Sequence, residues 1–184
     1  MELRSQRPFS MEGFIEFNRG YCGVLETWGV FVGGANPIAR TNVCPLSLDS
    51  SEPILHAFSF VRPNAALTRQ TFIIAGAGEL VEGTLVKDGI LRRGETSPEA
   101  MEEKARYVCD VMADRLRGLN ADWSEVTAIN AYTIHSIHPL MENPLLDHLP
   151  AARRLGVCWH FTRPPVIDIE FEMDLRGVQT EIIE

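Results

Sequence analysis

The stretch that most constrains this chain runs from residue 67 to residue 134, where three differently patterned segments succeed one another. Leu67 to Ala75 ends in Thr71-Phe72-Ile73-Ile74-Ala75, an apolar and β-branched run that predicts a strand stopping at Gly76-Ala77-Gly78. Turns follow around Glu82-Gly83 and Asp88-Gly89. Ser97-Pro98 then predicts a helix start, because a serine hydroxyl accepts from free backbone amides and proline is tolerated in a first turn. From there to Arg117, Met101, Ala105, Val108, Met112 and Leu116 form one stripe, and Glu103, Arg106, Asp110, Asp114 and Arg117 lie off it. Such a helix packs on one side. Val126 to Ile134 is β-prone and predicts a second strand, which completes a strand–helix–strand unit.

The flanks are patterned less sharply. Leu140 to Leu149 predicts a short second helix with Pro144 inside it. Leu155, Val157, Trp159 and Phe161 alternate with Gly156, Cys158 and His160. After Arg163-Pro164-Pro165, Ile167, Ile169, Phe171, Met173 and Leu175 alternate with Asp168, Glu170, Glu172 and Asp174. Two half-buried strands joined as a hairpin are expected from these patterns. Before residue 53, glycines punctuate short apolar and aromatic runs (Gly13 to Phe17, Gly20 to Gly34), which predicts strands and turns. Pro37, Pro45 and Ser47 to Pro53 predict an irregular connection. Residues 1–54 therefore read as an extension packed on a core of residues 55–184.

Composition narrows the function classes. A length of 184 residues suits one domain, and 45% hydrophobic with 23% charged residues excludes a largely disordered chain. A net charge of −8 argues against nucleic acid as a partner. The four cysteines, Cys22, Cys44, Cys109 and Cys158, form no C-x-x-C pair, which disfavours zinc or a disulfide framework and makes a reducing cytoplasm the default location. No apolar run approaches the ~20 residues of a membrane span, and no signal segment is visible at the N-terminus. Gly29, Gly33 and Gly34 lack the Lys-Ser/Thr ending of a phosphate loop and read as turns.

Several strings, in their order and spacing, resemble the RidA/YjgF family of small enamine and imine hydrolases. They are Arg69 to Gly76, the long helix followed by Asp122-Trp123-Ser124-Glu125-Val126, and Pro150-Ala151-Ala152-Arg153-Arg154 leading to Ile167-Asp168-Ile169-Glu170. The resemblance covers roughly the last two-thirds of the chain. It implies an α+β fold of the chorismate-mutase-like type, a mixed sheet with two helices on one face, assembled as a homotrimer with ligand clefts between subunits. It implies no metal and no organic cofactor, and a small-molecule carboxylate as the substrate.

Site residues follow from the same resemblance. A cleft arginine before the penultimate strand holds the substrate carboxylate, and Arg153 and Arg154 are both placed for it. Strand phase favours Arg154, because Cys158 and His160 would then share its face. An acid early in the last strand positions water, and Asp168 or Glu170 matches it; Gly76 matches a strand-end glycine whose carbonyl also holds water. A fork-shaped guanidinium suits a carboxylate, and a carboxylate suits water activation. His135 and His138 are expected in a loop.

Departures sharpen the expectation. Arg62-Pro63-Asn64-Ala65 stands where many members carry a tyrosine string, Ala75 stands for a common serine, and Gly156 for a common cysteine. Arg62 with Arg154 suggests a substrate with two carboxylates, as in the family branches that deaminate 2-aminomuconate-type ring-cleavage products. The expected function is cofactor-independent hydrolysis of an enamine or imine carboxylate with release of ammonia. The alternative is a non-catalytic carboxylate-binding or regulatory module on the same scaffold.

Overall fold

The computed structural model describes residues 1–182. In chain order, β1 (Glu2–Arg4) leads to α1 (Met11–Thr27), β2 (Thr41–Pro45) and β3 (Ile54–Ala57). Then come β4 (Phe72–Gly78), α2 (Pro98–Gly118), β5 (Ala128–Tyr132), α3 (Ala152–Leu155), β6 (Cys158–His160), β7 (Thr162–Arg163) and β8 (Glu172–Gly177). The strands form two four-stranded sheets, ordered β3-β1-β2-β7 and β4-β8-β5-β6, in a mixed α+β architecture. Within the second, β8 runs antiparallel to both β4 and β5, and β6 runs parallel to β5.

The predicted strand–helix–strand unit is present. Ser97 Oγ accepts from the Ala100 N–H at 3.3 Å, and Pro98 opens α2. The apolar stripe of α2 is buried against Ile74, Ile129, Met173 and Leu175 on one face of the second sheet. Met101, Val108, Met112 and Leu116 each contribute about 1.5–3 kcal/mol of burial. Because successive strand residues point to opposite sides, Asn130, Tyr132, Glu172, Asp174 and Arg176 fall on the other face.

That second face is covered by the N-terminal sheet. Thr41 Oγ1 donates to Asp174 Oδ2 at 2.7 Å, and Arg176 pairs with Glu2 at 2.8 Å. Asp174 also accepts from Asn130 Nδ2 at 2.7 Å and from the Tyr132 hydroxyl at 2.9 Å. Around Asp174 the layer between the sheets is thus polar yet hydrogen-bonded.

Three expectations change. Gly13 to Phe17 and Gly20 to Thr27, expected as strands and turns, lie within α1. The reason is local: Ser10 Oγ caps the helix by accepting from the Gly13 N–H at 3.0 Å. Phe14, Phe17 and Tyr21, three and four residues apart, then share one face that packs round Arg40. Tertiary packing of that face outweighs the weak helix propensity of its glycines.

The terminal hairpin is also replaced. β6 pairs with β5, whereas β7 leaves that sheet to pair antiparallel with β2. Pro164 and Pro165 have no N–H to continue a ladder; instead Pro165 O accepts from Phe9 N–H at 2.8 Å and Ile167 N–H donates to Phe9 O at 2.9 Å. β8 therefore starts only at Glu172, and Asp168 occupies a turn with φ of +74°. Finally, the helix expected over 140–149 is broken into short turns, since Asn143 before Pro144 is extended (φ −138°, ψ 123°). Among the described residues no helix is long and apolar enough to cross a membrane.

Candidate functional site

A cleft of about 220 Å³ opens where the N-terminal sheet meets β4 and β8. Its floor is made by a β-bulge. The β4–β8 register shifts between Ile74 and Ala77, which frees the Gly76 N–H from β8 to donate to Arg40 O at 3.2 Å. Gly76, Arg40, Asn42, Arg115 and Glu172 all line the cleft.

Glu172 is its central group. The residue is 4% exposed, and no described group hydrogen-bonds its carboxyl. Burial, reinforced by the nearby Asp174 carboxylate, pushes its pKa up to about 8 against the opposing pull of Arg40. At neutral pH it is therefore mostly a neutral acid. Gly76 makes this placement possible, because a Cβ there would overlap Glu172 Oε1 and approach Thr41 Cγ2 to 3.1 Å. Gly76→Ala is expected to cost about 1–3 kcal/mol by overpacking, read by chemical denaturation. A loss under ~0.5 kcal/mol, within the range of an ordinary surface change, would mean that the carboxyl swings away freely.

The chain leading into Glu172 is pinned from below. Glu79 Oε1 accepts from the Glu170 N–H at 2.6 Å and Oε2 from the Phe171 N–H at 3.0 Å. Lys104 Nζ donates to Glu79 Oε1 at 3.1 Å, and both of these side chains are wholly buried. Burial raises the Glu79 pKa, while Lys104 and the two N–H donors act against that rise.

Two arginines supply positive charge to the cleft. Arg115 Nη1 donates to Ala75 O at 2.9 Å, and its Nε and Nη2 donate to Glu82 Oε1 at 3.0 and 2.5 Å. Arg40 lies over the rings of Phe14, Phe17 and Tyr21 at 5.6, 5.4 and 4.7 Å, and donates to Asn18 Oδ1 at 2.6 Å. Desolvation holds its pKa below the ordinary arginine value.

Of the residues singled out from sequence, Gly76 lines this cleft and the others lie elsewhere. Arg154 sits in α3 and donates to Val126 O at 3.0 Å, and Arg153 pairs with Asp147 at 3.0 Å. Arg62 is exposed in the irregular stretch between β3 and β4. Glu170 pairs with His135 Nε2 at 2.8 Å, and Asp168 is in the turn before β8. His160 stacks on Tyr132 with centroids 4.8 Å apart and contacts Asn130 Oδ1 at 3.1 Å; Cys158 is exposed on β6. The Cys44 and Cys109 thiols are pushed up to about 12 by burial, which keeps them protonated and unreactive.

Sequence reasoning did not single out Glu172, Arg40, Asn42 or Arg115. Glu172 belongs to the same alternating acidic row as Asp168 and Glu170, so phase alone does not separate it from them. Arg40 and Asn42 fall in and beside a stretch that reads as irregular, and Arg115 reads as one more cation on the polar side of a helix.

Known proteins resemble this chain. A family model described as 2-aminomuconate deaminase CnbZ matches residues 1–182, the N-terminal segment included. A 2-amino-5-chloromuconate deaminase of Comamonas testosteroni is 40% identical over 184 residues, covering 99% of this chain and 72% of the relative. A solved Klebsiella pneumoniae structure, described as a candidate endoribonuclease, superposes with a TM-score of 0.36 at 15% identity, over 57% of this chain and 90% of that one.

Proposed function

The chain belongs to the 2-aminomuconate deaminase CnbZ family, and on that premise we propose that it deaminates a 2-aminomuconate-type dicarboxylate in the cleft between its two sheets. The observation that carries this reading is Glu172, a buried carboxyl with no described hydrogen-bond donor and a pKa near 8, facing a cleft that also holds Arg115. A neutral acid at pH 7 suits a reaction that starts by protonating carbon.

Chemically, the neutral carboxyl of Glu172 gives its proton to a carbon of the conjugated enamine, and the nitrogen-bearing carbon becomes an iminium. The resulting carboxylate then takes a proton from water as its oxygen bonds to that carbon. Collapse of the adduct breaks the C–N bond, so one water is consumed, one ammonia leaves and a keto acid remains. Arg115 binds the carboxylate beside the reacting carbon, with Glu82 and Ala75 O holding the guanidinium in place. Gly76 keeps room for the acid. In this reading the water-activating role expected of Asp168 or Glu170 belongs to Glu172, further along the same row.

The homotrimer, the chorismate-mutase-like packing and the division at residue 54 belong to the same proposal. Exposed Trp159 and Phe161, whose rings meet edge to face at 6.0 Å beside the outer edge of β6, offer apolar surface to a neighbouring subunit. Residues 1–54 would be the extension that brings Arg40 to the cleft.

Ammonia release tests the reading. The purified protein is expected to liberate ammonia from 2-aminomuconate, and Arg115→Ala to lower kcat/KM by about 10–100-fold, as loss of a charge-assisted contact implies. No ammonia from 2-aminomuconate would overturn it, and full activity in Arg115→Ala would remove Arg115 from the site.

A further inference from the structure

The mechanism above leaves two polar groups of the cleft without a task, and both come from the N-terminal segment. Arg40 has no carboxylate partner among the described residues; its guanidinium is held by three aromatic rings and the Asn18 amide oxygen. Asn42 is 2% exposed, and its Nδ2 is a buried donor with no hydrogen-bond partner, although its Oδ1 accepts from Ser5 Oγ at 3.1 Å. Both residues line the cleft that Glu172 and Arg115 line.

A half-buried cation without an anion and a buried amide donor without an acceptor are each unfavourable alone. One ligand group resolves both. A carboxylate carries negative charge and accepts only, with lone pairs enough for a guanidinium and an amide at once. The aromatic cage fixes the guanidinium before any ligand arrives, so little freedom is lost on binding. Arg115 holds Glu82 and Ala75 O with three of its five N–H groups, which leaves two for a carboxylate at its own end of the cleft.

We infer that Arg40 and Asn42 form a second carboxylate subsite that takes the distal carboxylate of the substrate and makes the site selective for dicarboxylates over monocarboxylates. The inference rests on the deaminase reading for the identity of the substrate, but not for its test. Monocarboxylate enamines fill only the Arg115 end. On binding one, the protein leaves Arg40 and the Asn42 donor as they are, and the affinity available from them is lost.

Muconate and sorbate make a matched pair for the experiment, because both are six-carbon dienes and sorbate carries a methyl where muconate carries its second carboxylate. Calorimetry on the full chain is expected to show muconate binding about 10–100-fold more tightly than sorbate, the range of one charge-assisted contact. Arg40→Gln and Asn42→Asp are each expected to erase that preference while sorbate affinity stays unchanged. Asn42→Asp keeps the acceptor for Ser5 and puts an anion where the donor was. Arg40→Lys keeps the charge without the fork and is expected to retain part of the preference. Equal binding of the two ligands by the parent protein would overturn the subsite, as would variants that weaken both ligands in parallel. Ammonia release is scored separately: a muconate preference without turnover would sink the deaminase reading alone, and turnover without the preference would sink the subsite alone.

Discussion

Glu172→Gln is expected to lower kcat by about 10²–10⁴-fold, the contribution typical of a positioned acid–base group, with substrate affinity little changed. Glutamine matches the shape that fits above Gly76 but has no proton to give, so the loss would fall on chemistry. For the parent protein, kcat/KM is expected to fall as pH rises through about 8, because in the proposed mechanism the neutral acid of the free protein is the form that starts the reaction.

Stability carries an independent signature of the same group. The folded-state pKa is raised from 4.5 to about 8, so the folded protein holds a proton that the unfolded chain releases in between. The contribution of Glu172 to stability is thus fully present below pH 4.5 and is lost as pH rises towards 8. Glu172→Gln removes that dependence, and the variant is expected to be more stable than the parent at pH 8 although it is the slower catalyst. Denaturant titrations of both proteins at pH 5 and pH 8, beside pH–rate profiles, check this. Undiminished kcat in the variant, or parallel stability curves, would sink the assignment.

The second large effect is expected at Lys104. Lys104→Met leaves Glu79 ionisable, wholly buried and stripped of its counter-charge, which should cost about 3–5 kcal/mol. For a chain of this length that corresponds to a fall in Tm of roughly 6–20 °C. Glu79 would still hold the Glu170 and Phe171 N–H groups, so the damage comes from the charge and not from a broken strand. Pairing it with Glu79→Gln removes the stranded charge and keeps an acceptor for one of those two N–H groups, while the amide NH2 faces the other. The double variant is therefore expected to recover part of the loss. A single variant within ~0.5 kcal/mol of the parent would show that Glu79 needs no counter-charge from Lys104.

How much of this was legible beforehand depended on where the deciding contacts lie. α2 could be read because its signals are local: a serine cap, a proline in the first turn and a stripe at helical spacing. β4 and β5 could be read from their β-branched runs, though the bulge that carries β4 on to Gly78 could not. The resemblance pointed to an aminomuconate deaminase branch, and that is the family the chain belongs to. α1 was missed although Ser10 and the spacing of Phe14, Phe17 and Tyr21 were present, because its glycines also fit a strand-and-turn reading. The terminal hairpin failed because alternation reports which face a residue takes and not which strand is its neighbour.

By itself, the sequence determined a strand–helix–strand core with one apolar face per strand and an acidic row on the polar side of the last strand. These depend on interactions spanning a few residues, and the chain order encodes them directly. Only the tertiary structure decided that Glu172 is a buried acid facing the cleft without a described hydrogen-bond partner, because its burial follows from the N-terminal sheet closing over β8 and from the bulge that opens space at Gly76. It also brought Arg40 and Asn42, more than a hundred residues earlier, to the same cleft. Desolvation and charge proximity set the chemistry of such groups, and both are properties of which segments meet in space.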